Sequence, residues 1–392
     1  MKRIYIITIL IVFLCAIKSD AQSSPLKYRR SSIYSILINH AEQDFGQEIR
    51  EVFMQMPIDT NKFNDHNLNV RVLELDEKLE GAKKEEENED ITKFLNENNI
   101  ASRLVARWFD RDIYTGVCNY DLVLNRSLQG EDTYDKLLSK LSGNEDVFLS
   151  NIGEELIGNT FVVVNDIRYV DKGEKSAVAA IVASAISGKL ANMVQSIKGF
   201  SVRVNSFLYQ LVWSEEAQSE FYNTHYTSVP DIKKKKAFED NRSHYKLKYV
   251  GKVESKGSTT SMFGVKLDEP IMMVRKACQR AIDENLADLQ HDFEPFRTKM
   301  PLCSTDPIQA YIGLKEGVSP ERRYEVLDAI ELENGKIEYK RVGVVEPIES
   351  LIWDNRYMAE EEHAKNATLG MTTFKKVSGG NFTDGMLLRE IK

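Results

Sequence analysis

The chain has 392 residues, 52 basic and 60 acidic, for a net charge of −8. An acidic chain lacks the surplus of Lys and Arg that displaces counterions from phosphates, so DNA and RNA are excluded as partners. Four cysteines are too sparse for a disulfide framework, so the core must come from apolar burial, and the length has room for two or three domains of roughly 100–200 residues.

Lys2 and Arg3 precede an apolar run from Ile4 to Ala16, and Ser19-Asp20-Ala21 supplies small residues at a cleavage site. These are the three parts of a secretory signal peptide, residues 1–21, so the chain is expected to be exported to the periplasm or outer surface and to begin at Gln22. Loss of that leader takes the net charge to −10 and leaves Cys118, Cys278 and Cys303. The apolar run is shorter than the roughly 20 residues of a membrane-spanning helix, so the mature chain is expected to have no transmembrane span.

Ile33 to Ile38 predicts a buried strand, and Phe45, Ile49, Val52 and Phe53 follow at helical spacing. Leu68 to Leu75 alternates as a second strand. Glu77 to Asp90 is too charged to bury a wide face and predicts an exposed helix or linker. Ile91 to Phe109 predicts one amphipathic helix, and Tyr134–Leu141 and Val147–Ile157 two more. The β-branched run Thr160–Val164 marks a central strand.

Glu174 to Ile197 is the longest helical pattern, with a strip of small residues at Ala180, Ser184, Gly188 and Ala191. A membrane-active helix is one reading, tested by liposome leakage; polar flanks and a short apolar run favour a buried core helix. Phe200 to Trp213 predicts a long strand and Glu215 to Tyr226 a helix. Thr227 to Arg242 contains Pro230 and the run Lys233 to Lys236; the lysines suit an anionic surface, but Glu239 and Asp240 follow, which favours a solvated loop and a possible subdomain break at 227–243. Tyr245–Glu254 and Met262–Leu267 predict strands around a Gly257-Ser258 turn, and Asp268 is placed to cap a helix to about Phe293 that buries Cys278.

Beyond Pro301–Pro307, expected to be a domain break, five strand-like segments begin at Ile308, with Asn334-Gly335 as a hairpin turn. They predict a small β-barrel over 308–392. The fold class is therefore α+β: a mixed-sheet α/β region with long helices over 22–300, then the barrel.

No HExxH, CxxC, GxSxG or phosphate-binding glycine motif occurs. His291 with Glu294 and Glu360 with His363 have a spacing that offers two metal ligands each, but acidic helices produce that spacing often and closed sites need more ligands, so no metal or cofactor is expected. Cys118 with His40 or His66 would make a thiolate nucleophile, although nothing in the sequence pairs them. Trp353, Asn355, Arg356, Tyr357 and Phe382 fall in loops between strands, where a barrel mouth presents a binding surface; alternatively Trp353 plugs the barrel core. Asn125, Asn241, Asn366 and Asn381 begin Asn-X-Ser/Thr sequences, which matter only in a eukaryotic source.

The leader ending Asp20-Ala21-Gln22 resembles those of exported proteins of Bacteroidetes-type bacteria. Gly313 to Gly317, RYEVLDAIELENGKIEYKRVGVV and GGNFTDGMLLREI resemble small β-barrel modules that end some periplasmic and envelope-assembly proteins. That resemblance implies a compartment and a class of partner, and brings no catalytic residue. The expected function is a non-catalytic binding or scaffold protein of the cell envelope, with an envelope protein or glycan as partner. The alternative is a secreted hydrolase using paired carboxylates, which needs a cleft holding two carboxylates and a His.

Overall fold

A computed structural model of the chain describes residues 31–60, 62–69, 71–73, 84–127, 145–170, 199–260, 270–297, 299–332 and 337–392. The leader, the helices expected at 134–141 and 174–197, the strand at 262–267, the cap at Asp268 and the Asn334-Gly335 turn lie outside these residues.

Strand β1 (Ser32–Ile38) anchors a six-stranded mixed sheet. On one side it pairs in parallel with two short strands, β2 (Asn64–Asp65) and β3 (Val72–Leu73), and on the other with β4 (Thr160–Tyr169). Strands β5 (Gly199–Leu211) and β6 (Leu247–Thr260) extend the sheet antiparallel. Tyr34, Ile36, Val162, Val164, Phe207 and Tyr209 face one layer; Ile33, Leu37, Phe161, Val163, Val204 and Leu208 face the other. A strand covered on both faces needs apolar residues at successive positions, which is why the Ile33 and Phe161 runs do not alternate.

Helix α1 (Gly46–Gln55) covers one face with Ile49, Val52 and Phe53. The opposite face is covered by α2 (Lys84–Glu97), α3 (Ile100–Trp108), α4 (Asp121–Ser127) and α5 (Glu145–Gly158), then by α6 (Glu215–Glu220), the π-helical turn Phe221–His225 and α7 (Ile232–Asp240). The 23-residue helix α8 (Pro270–Asp292) returns to the first face, where Val274, Ala277, Cys278, Ala281 and Ile282 join the core. A polar chain crosses the sheet beneath it: Asn285 Nδ2 donates to Ser206 Oγ (2.8 Å), and Ser206 Oγ donates to Asn165 Oδ1 (2.7 Å). Buried polar groups are tolerated when they satisfy one another, and such a network fixes one register of helix on strands.

Four elements differ from the sequence reading. The helix expected over 91–109 is two, because Asn99 takes a left-handed φ of 52° that asparagine accepts more readily than most residues. The expected loop at 227–242 holds α7, whose N-terminus is capped by Asp231 accepting from Lys233 and Lys234, and whose Phe238 is buried; one cap and one anchor offset the run of lysines. Gly257-Ser258 is not a turn. Strand β6 runs straight through it, and Gly257 marks a close approach, since a Cβ there would stand 2.0 Å from the Ala277 carbonyl oxygen. Of the strand expected at 68–75, the sheet takes only Val72 and Leu73 among the described residues, after a left-handed Asn69.

The second sheet is a curled antiparallel half-barrel of β7 (Met300–Pro301), β8 (Ser304–Thr305), β9 (Ile308–Ala310), β10 (Arg323–Glu331), β11 (Ile337–Pro347), β12 (Thr372–Gly379) and β13 (Leu387–Ile391), in the order β7-β13-β10-β11-β12-β9-β8. The segment Met300–Thr305 bonds both ends of this order: Leu302 N–H donates to Met386, at the β13 side, and Cys303 N–H to Gln309, in β9. The sheet therefore starts at Met300, ahead of the five strands legible from Ile308. Its core of Leu302, Ala310, Val326, Val345, Phe374 and Leu388 contains no residue from before Met300. Fold class is α+β, with each sheet holding its own core.

Candidate functional site

The histidines and cysteines expected to carry chemistry are separated. His66 is fully buried; its Nε2 donates to the Leu104 carbonyl (3.0 Å) and its Nδ1 accepts from Arg126 (2.8 Å). Burial first and the Arg126 charge second drive its pKa down to about 3, so it is a neutral structural group. His40 Nε2 lies 2.5 Å from Asp166 Oδ1, an Asp–His pair, but no Ser, Thr or Cys among the described residues bonds that imidazole. Cys118 is buried beside Arg111 (3.5 Å) and touches neither histidine. Cys278 is fully buried and its thiol is pushed up to about 12 by burial, which makes it inert. His291 bonds Glu390 of β13 at 2.8 Å, and His363 takes a left-handed turn. Among the described residues no three His, Cys, Asp or Glu side chains gather as a metal site.

The loop residues expected at a barrel mouth divide between two places. Trp353 donates from Nε1 to the Ala367 carbonyl (2.9 Å) and its backbone N–H to Thr372 at the start of β12, whereas Phe382 follows the end of β12 and lies against Gly343. Asn355 Oδ1 accepts from Lys315 N–H (2.8 Å) and its Nδ2 donates to Glu316 (2.7 Å). Tyr357 offers its carbonyl to Arg280 of α8 (2.8 Å), and Arg356 closes on Asp354 (2.7 Å). The 353–357 loop thus faces α8 and the junction between the sheets.

That junction is built from charge. Lys62 pairs with Glu316, and Lys315 reaches Asp59 (3.3 Å) and Asp283 of α8 (3.8 Å); Lys276 and Arg280 of α8 both pair with Glu362. Lys62, Asp283 and Glu316 are each less than a tenth exposed. Burial, with Glu316 adding to it, raises the Asp283 carboxyl to about 6. A cavity of about 60 Å³ adjoins this cluster. A water needs roughly 10–15 Å³ measured the same way, so the space suits a few waters and no larger ligand.

A groove of about 660 Å³ opens where α5 meets the ends of β5 and α6, lined by Glu154, Asn159, Gln210, Trp213, Ser214 and Gln218. Trp213 is the anchor. Its indole N–H donates to Glu154 Oε2 (2.6 Å), and the Tyr222 hydroxyl donates to Glu154 Oε1 (2.6 Å), so both carboxylate oxygens are fixed. Burial nevertheless raises the Glu154 pKa. Gln210 donates from Nε2 to the Gly158 carbonyl (2.9 Å) and Gln218 to the Trp213 carbonyl (3.3 Å). Their Oε1 atoms, and the Asn159 side-chain amide, have no hydrogen-bond partner among the described residues, and all three residues line a space of ligand size. Glu155 and Glu215 add carboxylates, but the groove's described lining contains no His and no Cys.

Sequence reasoning missed this groove because its parts lie in three segments, 152–159, 210–218 and Lys248, that read as ordinary helix and strand ends. Trp213-Ser214 was the available signal: an aromatic ending a strand, followed at once by a cap, since Ser214 Oγ accepts from Ala217 N–H at 3.4 Å. No helix among the described residues is long and apolar enough to cross a membrane. Neither a known protein family nor a characterised protein matches the chain in sequence.

Proposed function

We propose that this chain is an exported, non-catalytic binding protein of the cell envelope, and that the Trp213 groove holds a glycan. The observation that carries the reading is the set of neutral amide groups on the groove wall, the Oε1 atoms of Gln210 and Gln218 and the Asn159 side chain, that bond no partner among the described residues. The Gln210 and Gln218 amide oxygens accept from hydroxyls and the Asn159 amide both donates and accepts, which matches hydroxyl-rich ligands, while Val212, 37% exposed on the groove wall, supplies an apolar face for sugar C–H surfaces. Glu154 is locked by two donors and acts as a brace for Trp213 and Tyr222.

Saturable binding of host envelope oligosaccharides, followed by calorimetry, is the expected result. Gln210→Ala with Gln218→Ala should weaken it about tenfold or more, since two ligand hydrogen bonds at roughly 0.5–1.5 kcal/mol each are lost. Binding of an envelope protein at the groove, with no glycan binding, would replace the glycan reading. Turnover of those oligosaccharides, lost in Glu154→Gln, would favour the secreted hydrolase instead. Export is tested separately: protein recovered from its host should begin at Gln22 and lie outside the cytosol.

A further inference from the structure

Two loops lie side by side in the α/β region. The first, Asp112–Gly116, follows α3; the second, Thr227–Asp231, leads into α7. They are joined by the Cys118 N–H donating to the Thr227 carbonyl (2.7 Å) and by Gly116, whose φ of +76° lets its backbone pack against Lys235. At their tips Ile113, Tyr114, Val229 and Ile232 are 72%, 81%, 64% and 85% exposed. Single exposed apolar residues need no explanation, but four large ones on two joined loops do.

Three further observations say what covers them. The turn is internally satisfied: Asp112 Oδ1 accepts from Tyr114 N–H (3.0 Å), Thr115 N–H (2.6 Å) and Thr115 Oγ (2.7 Å), while Gly116 N–H and Val117 N–H donate to Asp112 O and Thr115 Oγ. A turn that already bonds its own amides loses little on leaving water, which is the condition for entering a lipid interface. Secondly, α7 carries its charge against its own dipole, with lysines 233–236 at the positive N-terminal end and Glu239 and Asp240 at the negative end. Lys234 and Lys235 are tied to Tyr226 O and Glu239, whereas Lys233 and Lys236 are exposed and make no ion pair among the described residues. An anionic surface at that end would reverse the penalty. Thirdly, basic residues outnumber acidic ones around the two loops: Arg107, Arg111 and lysines 233–236 stand against Asp110, Asp112 and Asp231, while Glu239 and Asp240 lie at the far end of α7.

We infer that this two-loop tip docks the protein on an anionic phospholipid bilayer, with Ile113, Val229 and Ile232 in the acyl boundary, Tyr114 at headgroup level, and Lys233 and Lys236 on the phosphates. A flat protein partner would leave such protruding side chains half wet, whereas a bilayer closes around each of them. The inference is independent of the ligand in the groove.

The test is co-sedimentation of the full chain with vesicles of phosphatidylethanolamine and phosphatidylglycerol, against phosphatidylcholine alone. Binding should favour the anionic vesicles and weaken with salt. Ile113→Ser with Ile232→Ser should reduce it by about tenfold or more. Lys233→Glu with Lys236→Glu should reduce it at least about fivefold per charge while leaving the melting temperature unchanged or raised, because the reversal favours the α7 dipole. Absence of vesicle binding by the full chain, or equal binding by the isoleucine variant, overturns the inference. So does self-association that the same variants abolish while vesicle binding persists, since the tip would then be a contact between copies.

Discussion

The α/β region and the half-barrel are each closed by apolar packing, but the surface between them is closed by charge. Phe161, Val163, Leu208 and Phe296 interlock in one core and Val326, Val345, Phe374 and Leu388 in the other, with no shared member. Across the junction stand Lys62, Asp283, Lys315, Glu316 and Glu362 instead. Apolar burial has no titrating group and so no pH dependence of its own, whereas the strength of a buried ion cluster changes as its members titrate or lose a partner. The two cores thus meet across one conditional seam, to which α8, its apolar face packed away from it, lends Lys276, Arg280 and Asp283.

The comparison breaks most visibly in the cores. Phe161→Ala and Phe374→Ala should each cost about 3–5 kcal/mol. Calorimetry should show them lowering different transitions, and a single transition lowered equally by both would mean that the seam couples the bodies fully. Next comes Lys62→Met, which leaves Glu316 buried without its cation and should cost about 3 kcal/mol, read as weakened association of the two bodies in the denaturant midpoint. Asp283 should follow at about 2–3 kcal/mol. Its folded pKa of about 6 lies above the usual 3.8, so the folded state holds that proton more tightly. Stability should therefore fall as pH rises from about 4 to 6 and be level above, and Asp283→Asn should remove that slope in melts across the range. The smallest effect belongs to an exposed pair outside both regions' cores: Lys93→Ala, which loses Glu97 at 3.9 Å, should change stability by less than about 0.5 kcal/mol.

Much of the fold was legible because its signals are local. The strands at Ile33, Phe161, Phe200 and from Ile308 onward, and the helix that buries Cys278, each rest on a periodicity contained in one segment. The errors came where a local sign had a distant cause. Gly257 reads as a turn until the Ala277 carbonyl is placed against it, and Lys233–Lys236 reads as a loop until Asp231 caps it and Phe238 finds the core. The site was less legible still. Trp353 and Asn355 were singled out by type and loop position, and lie at the seam, while Gln210, Trp213 and Gln218 carried no motif because a groove for neutral polar groups has no fixed spacing. Cys118 and His66 had the chemistry of a catalytic pair without the proximity.

The stitch at Met300–Thr305 has a consequence for how the molecule is made. Because this one stretch serves both rims of the half-barrel and precedes its other strands along the chain, β13 has a waiting partner when it is made. A fragment begun at Ile308 would lack that seam-tape and expose β9 and β13 as sticky margins. Anyone cutting the chain for expression should cut upstream of Met300.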